Sequence, residues 1–217
     1  MKRGVAILLV ATSGALAACG GGTTSTESAL PSGCQQVAKP PLKHRQLPRP
    51  PQTVSRGEPL TAVVDTTCGR FGIRLDTSGS PRTVNSFAYL ARKGFYDGTI
   101  FHRIVPGFVI QGGDPLQNGR GGPGYHVTEP PPPHTTYRSG TVAMAKASVE
   151  PPGRSGSQFF VVLAPDAGLP PQYAVLGKVT SGYDVVRRIG TFGARSSGST
   201  GTPVGTVVIR GVVVRRG

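Results

Sequence analysis

Between Phe95 and Asp114 the chain reads FYDGTIFHRIVPGFVIQGGD, and this stretch holds the residue types with the most chemistry to offer. Two short apolar runs flank Pro106-Gly107, a pair suited to the centre of a type II turn, so the spacing predicts a hairpin. Alternation along the first run puts Phe101, Arg103 and Val105 on one face and His102 and Ile104 on the other. An arginine inside an apolar strand is costly unless its face is a cleft or it has a partner. In a cleft it is a rigid donor of permanent positive charge, able to stabilise charge or a lone pair that develops during a reaction. A structural ion pair with Asp97 or Asp114 is the alternative. His102 lies on the opposite face with no Ser or Asp arrangement to support nucleophilic catalysis, and is read as structural. No Cys and His spacing suits a metal, so neither metal nor cofactor is expected.

Two further blocks follow in order. One is Gly140–Lys146 (GTVAMAK) with Ser155–Phe160 (SGSQFF); the other is Tyr173–Val179 (YAVLGKV). Together with FHRIVPGFVIQGGD they resemble the cyclophilin-type peptidyl-prolyl cis-trans isomerases, and the resemblance runs from about residue 60 to the C-terminus. It implies an all-β fold with minor α: an eight-stranded antiparallel closed barrel capped by two helices. It also implies rotation of X–Pro bonds in polypeptide clients, a reaction with a barrier of ~18–20 kcal/mol that needs no nucleophile. In the twisted amide the prolyl nitrogen regains its lone pair, so a fixed cationic donor favours that state selectively.

On this resemblance Arg103 is the donor, Gln111 orients it and the substrate backbone, and Phe108 completes the catalytic group. Phe108, Met144, Phe160 and Leu169 are expected to floor the proline pocket, with Val109 also in contact with substrate. Ala145, Lys146 and Gln158 would line the groove and Tyr173 would close one side. Phe108 and Gln111 are three apart and cannot share a face of a regular strand; Gly112-Gly113 is the expected irregularity. Three departures stand out. Lys146 sits where Asn is commonest, Tyr173 where many members have His, and Gly168 where animal members carry the Trp that contacts cyclosporin. With no Trp in the chain, weak cyclosporin binding is expected.

Positioning these residues needs a scaffold, and its elements are legible. Leu60–Val64 and Phe71–Leu75 read as strands at hairpin spacing across Cys68-Gly69-Arg70. Val84, Phe87, Leu90 and Ala91 have helical spacing within residues 81–91, with Ser80 as cap, Pro81 at the first position and Gly94 beyond the end. A second helix is predicted over Tyr183–Ile189, closed by Gly190, and the last strands at Thr206–Ile209 and Val212–Val214. The loops Glu129–His134 and Val149–Gly153 have no assigned role.

The composition agrees with this layout. Of 217 residues, 32 are Gly and 21 Pro, which excludes a long-helix bundle, while 37% hydrophobic residues suffice for one core. The net charge of +14 raises the possibility of a polyanion binder, but no aromatic–basic stripe accompanies it, so no nucleic acid is expected. A non-enzymatic peptide-binding scaffold is the other alternative. Lys2 and Arg3, an apolar run to Ala18, and then Cys19 resemble a bacterial lipoprotein signal. Residues 1–18 are read as that signal, 19–57 as a tether, flexible and then Pro-rich and basic, and 58–217 as the isomerase domain. The expected product is a monomer outside the cytoplasm, anchored to the cell membrane by lipid on Cys19. Cys34 and Cys68 then remain in an oxidising compartment and are expected to pair, two free thiols being the alternative.

Overall fold

The protein is described from a computed structural model that covers Met1, residues 30–194 and residues 200–217. Residues 2–29, which hold most of the expected lipoprotein signal and Cys19, fall outside the described residues. The elements, in order, are β1 (Leu60–Thr66), β2 (Gly69–Leu75), α1 (Pro81–Arg92), β3 (Arg103–Val105), β4 (Val109–Gly112), β5 (Val127–Thr128), β6 (Thr141–Met144), β7 (Arg154–Ser155), β8 (Phe159–Val162), β9 (Val175–Ser181), α2 (Tyr183–Gly190) and β10 (Ile209–Arg216).

Among the described residues, eight strands form one antiparallel sheet in the order β10-β1-β2-β9-β6-β8-β4-β3, and β5 pairs with β7 separately. This corrects the expected closed barrel. The sheet is a curled half-barrel whose edges, β3 and β10, do not pair along their length. Isolated contacts cross the gap instead: Ile100 bridges both Asp114 and Val208, and the Phe101 N–H donates to the Val207 carbonyl at 3.1 Å. β3 has only three residues, too few for a ladder that would complete the closure.

The concave side is filled by Phe71, Phe87, Tyr96, Phe101, Ile104, Ile110, Phe159 and Val161, all essentially without solvent contact. Phe159 is the hub, with Phe87, Tyr96 and Phe101 edge-on around it at centroid distances of 5.9, 5.9 and 6.2 Å. α1 forms where the periodicity predicts, but Ser80 makes no side-chain cap. The N–H groups of its first turn, which have no partner within the helix, are taken by Glu129, whose carboxylate accepts from the N–H of Thr83 at 2.7 Å and Arg82 at 3.2 Å. A carboxylate there suits the positive end of the helix, and gives the Glu129–His134 loop a structural task. Of the last two predicted strands, Val212–Val214 lies within β10, while Thr206–Ile209 reaches it only at Ile209, with Val208 making an isolated bridge to Ile100. β10 has a register shift against β1 at Asp65/Thr66 that leaves Arg210 as the extra residue.

Of residues 19–57, read from composition as a tether, the part from Cys34 to Gly57 lies against the domain. A disulfide joins Cys34 to Cys68. The N–H groups of Lys43 and Leu47 donate to the carbonyls of Pro115 and Pro123 at 3.0 and 2.8 Å. Further on, buried Asn85 of α1 accepts from the N–H of Thr53 and Val54 and donates to the Pro51 carbonyl. Composition shows that such a segment cannot build a core; it does not show that a finished surface will offer it hydrogen bonds. Among the described residues, no helix is long and apolar enough to cross a membrane.

Candidate active site

The site lies on the convex side of the sheet, at the β3–β4–β8–β6 end. Cross-strand partners in an antiparallel sheet share a face. The register pairs Arg103 with Gln111, Gln111 with Phe160, and Phe160 with Ala143, setting one continuous row. A second row, Val105, Val109 and Val162, runs beside it. Neighbours in sequence, Ile104, Ile110, Val161 and Val142, point into the core. The arginine thus stands on a wholly different surface from the core, which resolves the cost that its apolar strand implied.

Val109, Phe160, Val162, Ala143 and Tyr137 form a second apolar cluster on this face, against which Phe108, Ala145, Leu169 and Tyr173 pack while half-exposed. The result is a shallow apolar shelf beside a cation. Met144 is not part of it. It is buried in the main core and pairs with Phe159, because it is one residue out of phase with Ala143 and Ala145. Val109 fills the floor position instead.

Phe108 reaches the shelf from the turn, not from β4. Pro106-Gly107 makes the predicted turn, with Gly107 at φ 70° and the Phe108 N–H donating to the Val105 carbonyl at 3.0 Å. The irregularity therefore precedes β4 and is not at Gly112-Gly113. Gly113 serves another purpose. At φ 82° it brings the backbone so close to Ser157 that a Cβ would stand 2.7 Å from that residue's carbonyl oxygen. This fastens the loop that carries Gln158, and Ser157 Oγ donates back to the Gly113 carbonyl at 2.7 Å.

Gln111 donates to Gln158 Oε1 at 3.1 Å, and Gln158 donates to the Gly121 carbonyl at 2.9 Å. Two amides are so held side by side between the shelf and the groove beyond. Lys146 donates to the carbonyls of Ala147 and Glu150 at 3.1 and 2.9 Å and lies 5.8 Å from the Tyr173 ring centre. Glu150 in turn accepts from the Ala147 N–H and Arg154, which ties down the Val149–Gly153 loop. Burial lowers the pKa of Arg103 from its ordinary value, yet a guanidinium keeps its charge in a protein. Asp114, a suggested ion-pair partner for it, spends its carboxylate on the N–H groups of Leu116, Asn118 and Gly119.

His102 sits off the shelf, and desolvation lowers its pKa against the opposing pull of Asp114 and of the Ile100 backbone. Sequence reasoning missed Tyr137. Its buried hydroxyl donates to the Tyr173 carbonyl at 2.7 Å and accepts from the Tyr173 N–H at 2.9 Å. The Tyr173 ring is consequently held edge-on to Phe160 at 5.4 Å and to Tyr137 at 5.9 Å. No motif marks Tyr137; only the fold brings it there.

With this geometry in place, comparison with known proteins is decisive. The family model for cyclophilin type peptidyl-prolyl cis-trans isomerase/CLD matches residues 61–214. The chain belongs to the cyclophilin-type peptidyl-prolyl cis-trans isomerases, enzyme class EC 5.2.1.8. A relative from Gibberella zeae, peptidyl-prolyl cis-trans isomerase-like 1, is 40% identical over 153 residues, 68% of this chain and 90% of the relative. The mouse protein of the same description is 39% identical over 145 residues, covering 65% and 84%. Among solved structures, a Cryptosporidium parvum cyclophilin-type isomerase crystallised in the presence of the dipeptide Ala-Pro is similar at a TM-score of 0.64. It is 30% identical, and the match covers 72% of this chain and 99% of that one.

Proposed function

We propose that this cyclophilin-type isomerase turns X–Pro bonds by seating the proline ring on the shelf of Phe108, Val109, Phe160 and Leu169 while Arg103 donates to the prolyl nitrogen of the twisted amide. One observation carries the reading: the row Arg103–Gln111–Phe160 sets a charged donor, an amide and an aromatic floor on three adjacent strands, facing away from the core. The shelf holds the ring while the preceding carbonyl swings. Gln111, steadied by Gln158, hydrogen-bonds the client backbone. The guanidinium is most useful when amide resonance is broken, so its stabilisation falls on the transition state. Exchange rates of an Ala-Pro peptide, measured by NMR, test this. Arg103→Ala is expected to lower kcat by about 10²–10³-fold with the fold intact. Unchanged acceleration by that variant removes Arg103 from the mechanism, and no acceleration by the wild type favours a peptide-binding scaffold.

The clients are proposed to be envelope or secreted proteins, met by a monomer anchored through lipid on Cys19. The basic start, the apolar run and Leu16-Ala17-Ala18-Cys19 support this. Detergent phase partition of wild type and Cys19→Ala tests it; the reading fails if both partition alike. Weak cyclosporin binding is proposed because Gly168 beside the shelf has open space where a side chain would stand. Submicromolar affinity by calorimetry would overturn that.

A further inference from the structure

The convex face of the sheet carries a row of cations at the end away from the shelf. The register sets Arg215 beside Thr61, Thr61 beside Arg74, and Arg74 beside Lys178. Cross-strand partners share a face, so the row runs over β10, β1, β2 and β9. At ~4.8 Å between strands it is about 14 Å long. Leu60, Ala62 and Val64 alternate with Thr61 along β1 and belong to the core, so the row faces outward. All three cations are exposed.

Among the described residues none of Arg74, Lys178 and Arg215 forms an ion pair. The carboxylates on or next to β1 and β2 are engaged elsewhere. Asp65 pairs with Arg70 at 3.0 Å, Glu58 with Arg216 at 2.9 Å, and Asp76 accepts from the Gly79 N–H at 2.8 Å. Beside the row, Val63 faces Val213 across the strands, and the two are 37% and 50% exposed. Cations next to exposed apolar side chains suit an anionic lipid surface, where headgroups meet the charge and the acyl boundary meets the valines. A soluble polyanion would leave the valines unused.

The course of the chain keeps this face near a membrane. Cys34 is joined to Cys68, in the turn between β1 and β2, and is fifteen residues (34 − 19) from Cys19. Even fully extended, that length spans only about 50 Å. Thr61 is five residues along β1 from Thr66 at the same turn, about 17 Å away. We infer that the Arg215–Arg74–Lys178 row docks the domain on anionic lipid headgroups, as a second contact beside the lipid on Cys19. The inference rests on the reading of Cys19 as the anchor. The curl of the sheet turns the shelf, at the β3–β4 end, to another side, where it stays open to clients.

The test uses the full chain with Cys19→Ala, so that no lipid is attached, and vesicles of phosphatidylcholine alone or mixed equally with phosphatidylglycerol. Co-sedimentation is expected to show tighter binding to the mixed vesicles, by a margin that shrinks as ionic strength rises from ~0.02 to ~0.5 M. Each cation near such a surface is worth about fivefold, so Arg215→Gln alone should weaken that binding about fivefold. Arg74→Gln, Lys178→Gln and Arg215→Gln together should weaken it about a hundredfold. Arg92→Gln, Lys93→Gln and Arg187→Gln together remove the same charge elsewhere and should weaken it far less. Unchanged acceleration of an Ala-Pro peptide checks that both triple variants are folded. Equal losses in the two variants assign the binding to net charge and overturn the row. No preference for the mixed vesicles overturns it too, while the Cys19 reading stands or falls separately on detergent phase partition. Binding of inorganic polyphosphate without binding of vesicles gives the row to a soluble polyanion and overturns the membrane contact.

Discussion

Replacing Tyr137 by Phe isolates what the clamp on Tyr173 is worth. The ring is kept, so no cavity forms, and what is lost is one hydroxyl with two hydrogen bonds, at 2.7 and 2.9 Å, to the backbone of Tyr173. At about 0.5–1.5 kcal/mol each, the loss is about 1–3 kcal/mol. For a domain of this size that is a fall in Tm of about 2–12 °C. The functional consequence is separable. Tyr173 walls the shelf from the loop before β9, while Arg103 and Gln111 stand on β3 and β4, so the substitution should loosen client binding and leave the twisting step alone. An edge-on aromatic contact is worth about 0.5–1.5 kcal/mol, which makes the expected rise in KM about two- to tenfold at unchanged kcat. Calorimetry and NMR exchange over a range of peptide concentrations read both. An unchanged Tm with an unchanged KM, or a fall in kcat at constant KM, refutes the clamp.

Other outcomes follow from the same geometry. Glu129→Gln weakens charge-assisted bonds to the first turn of α1 and should cost about 1–2 kcal/mol in urea unfolding, with little change in kcat; an effect below 0.3 kcal/mol would deny its capping role. Breaking the Cys34–Cys68 disulfide, which spans 34 residues, should cost about 3–4 kcal/mol on the chain-entropy model; thiols that alkylate without reductant would refute the pairing. Because His102 has a lowered pKa in the folded state, the unfolded chain binds the proton more readily below about pH 6.5. Stability should therefore rise with pH through this window and fall on acidification. His102→Phe should flatten that slope, and an identical slope in both proteins would exclude His102 as its source.

How much of this was readable beforehand differs from residue to residue. Both helices, the Pro106-Gly107 turn and the first hairpin follow from periodicity and turn chemistry, which are local. Arg103 also announced itself, because a charged residue within an apolar strand requires a special surface. Met144 shows the limit: an apolar residue beside a groove motif belongs to the shelf or the core according to strand phase, and a shift of one residue exchanges them. The open edge between β3 and β10 was likewise invisible, since closure depends on how many residues a strand keeps in register.

The sequence by itself determined the family, the chemistry of the cation and the pairing options of three cysteines, because these depend on residue type and order. Only the tertiary structure decided that Glu129 rather than Ser80 caps α1, that Tyr137 holds Tyr173, and that residues 34–57 lie against the domain. Each of these joins residues distant in sequence through backbone groups, and every residue carries the same N–H and C=O whatever its side chain. Composition cannot label which of them will meet.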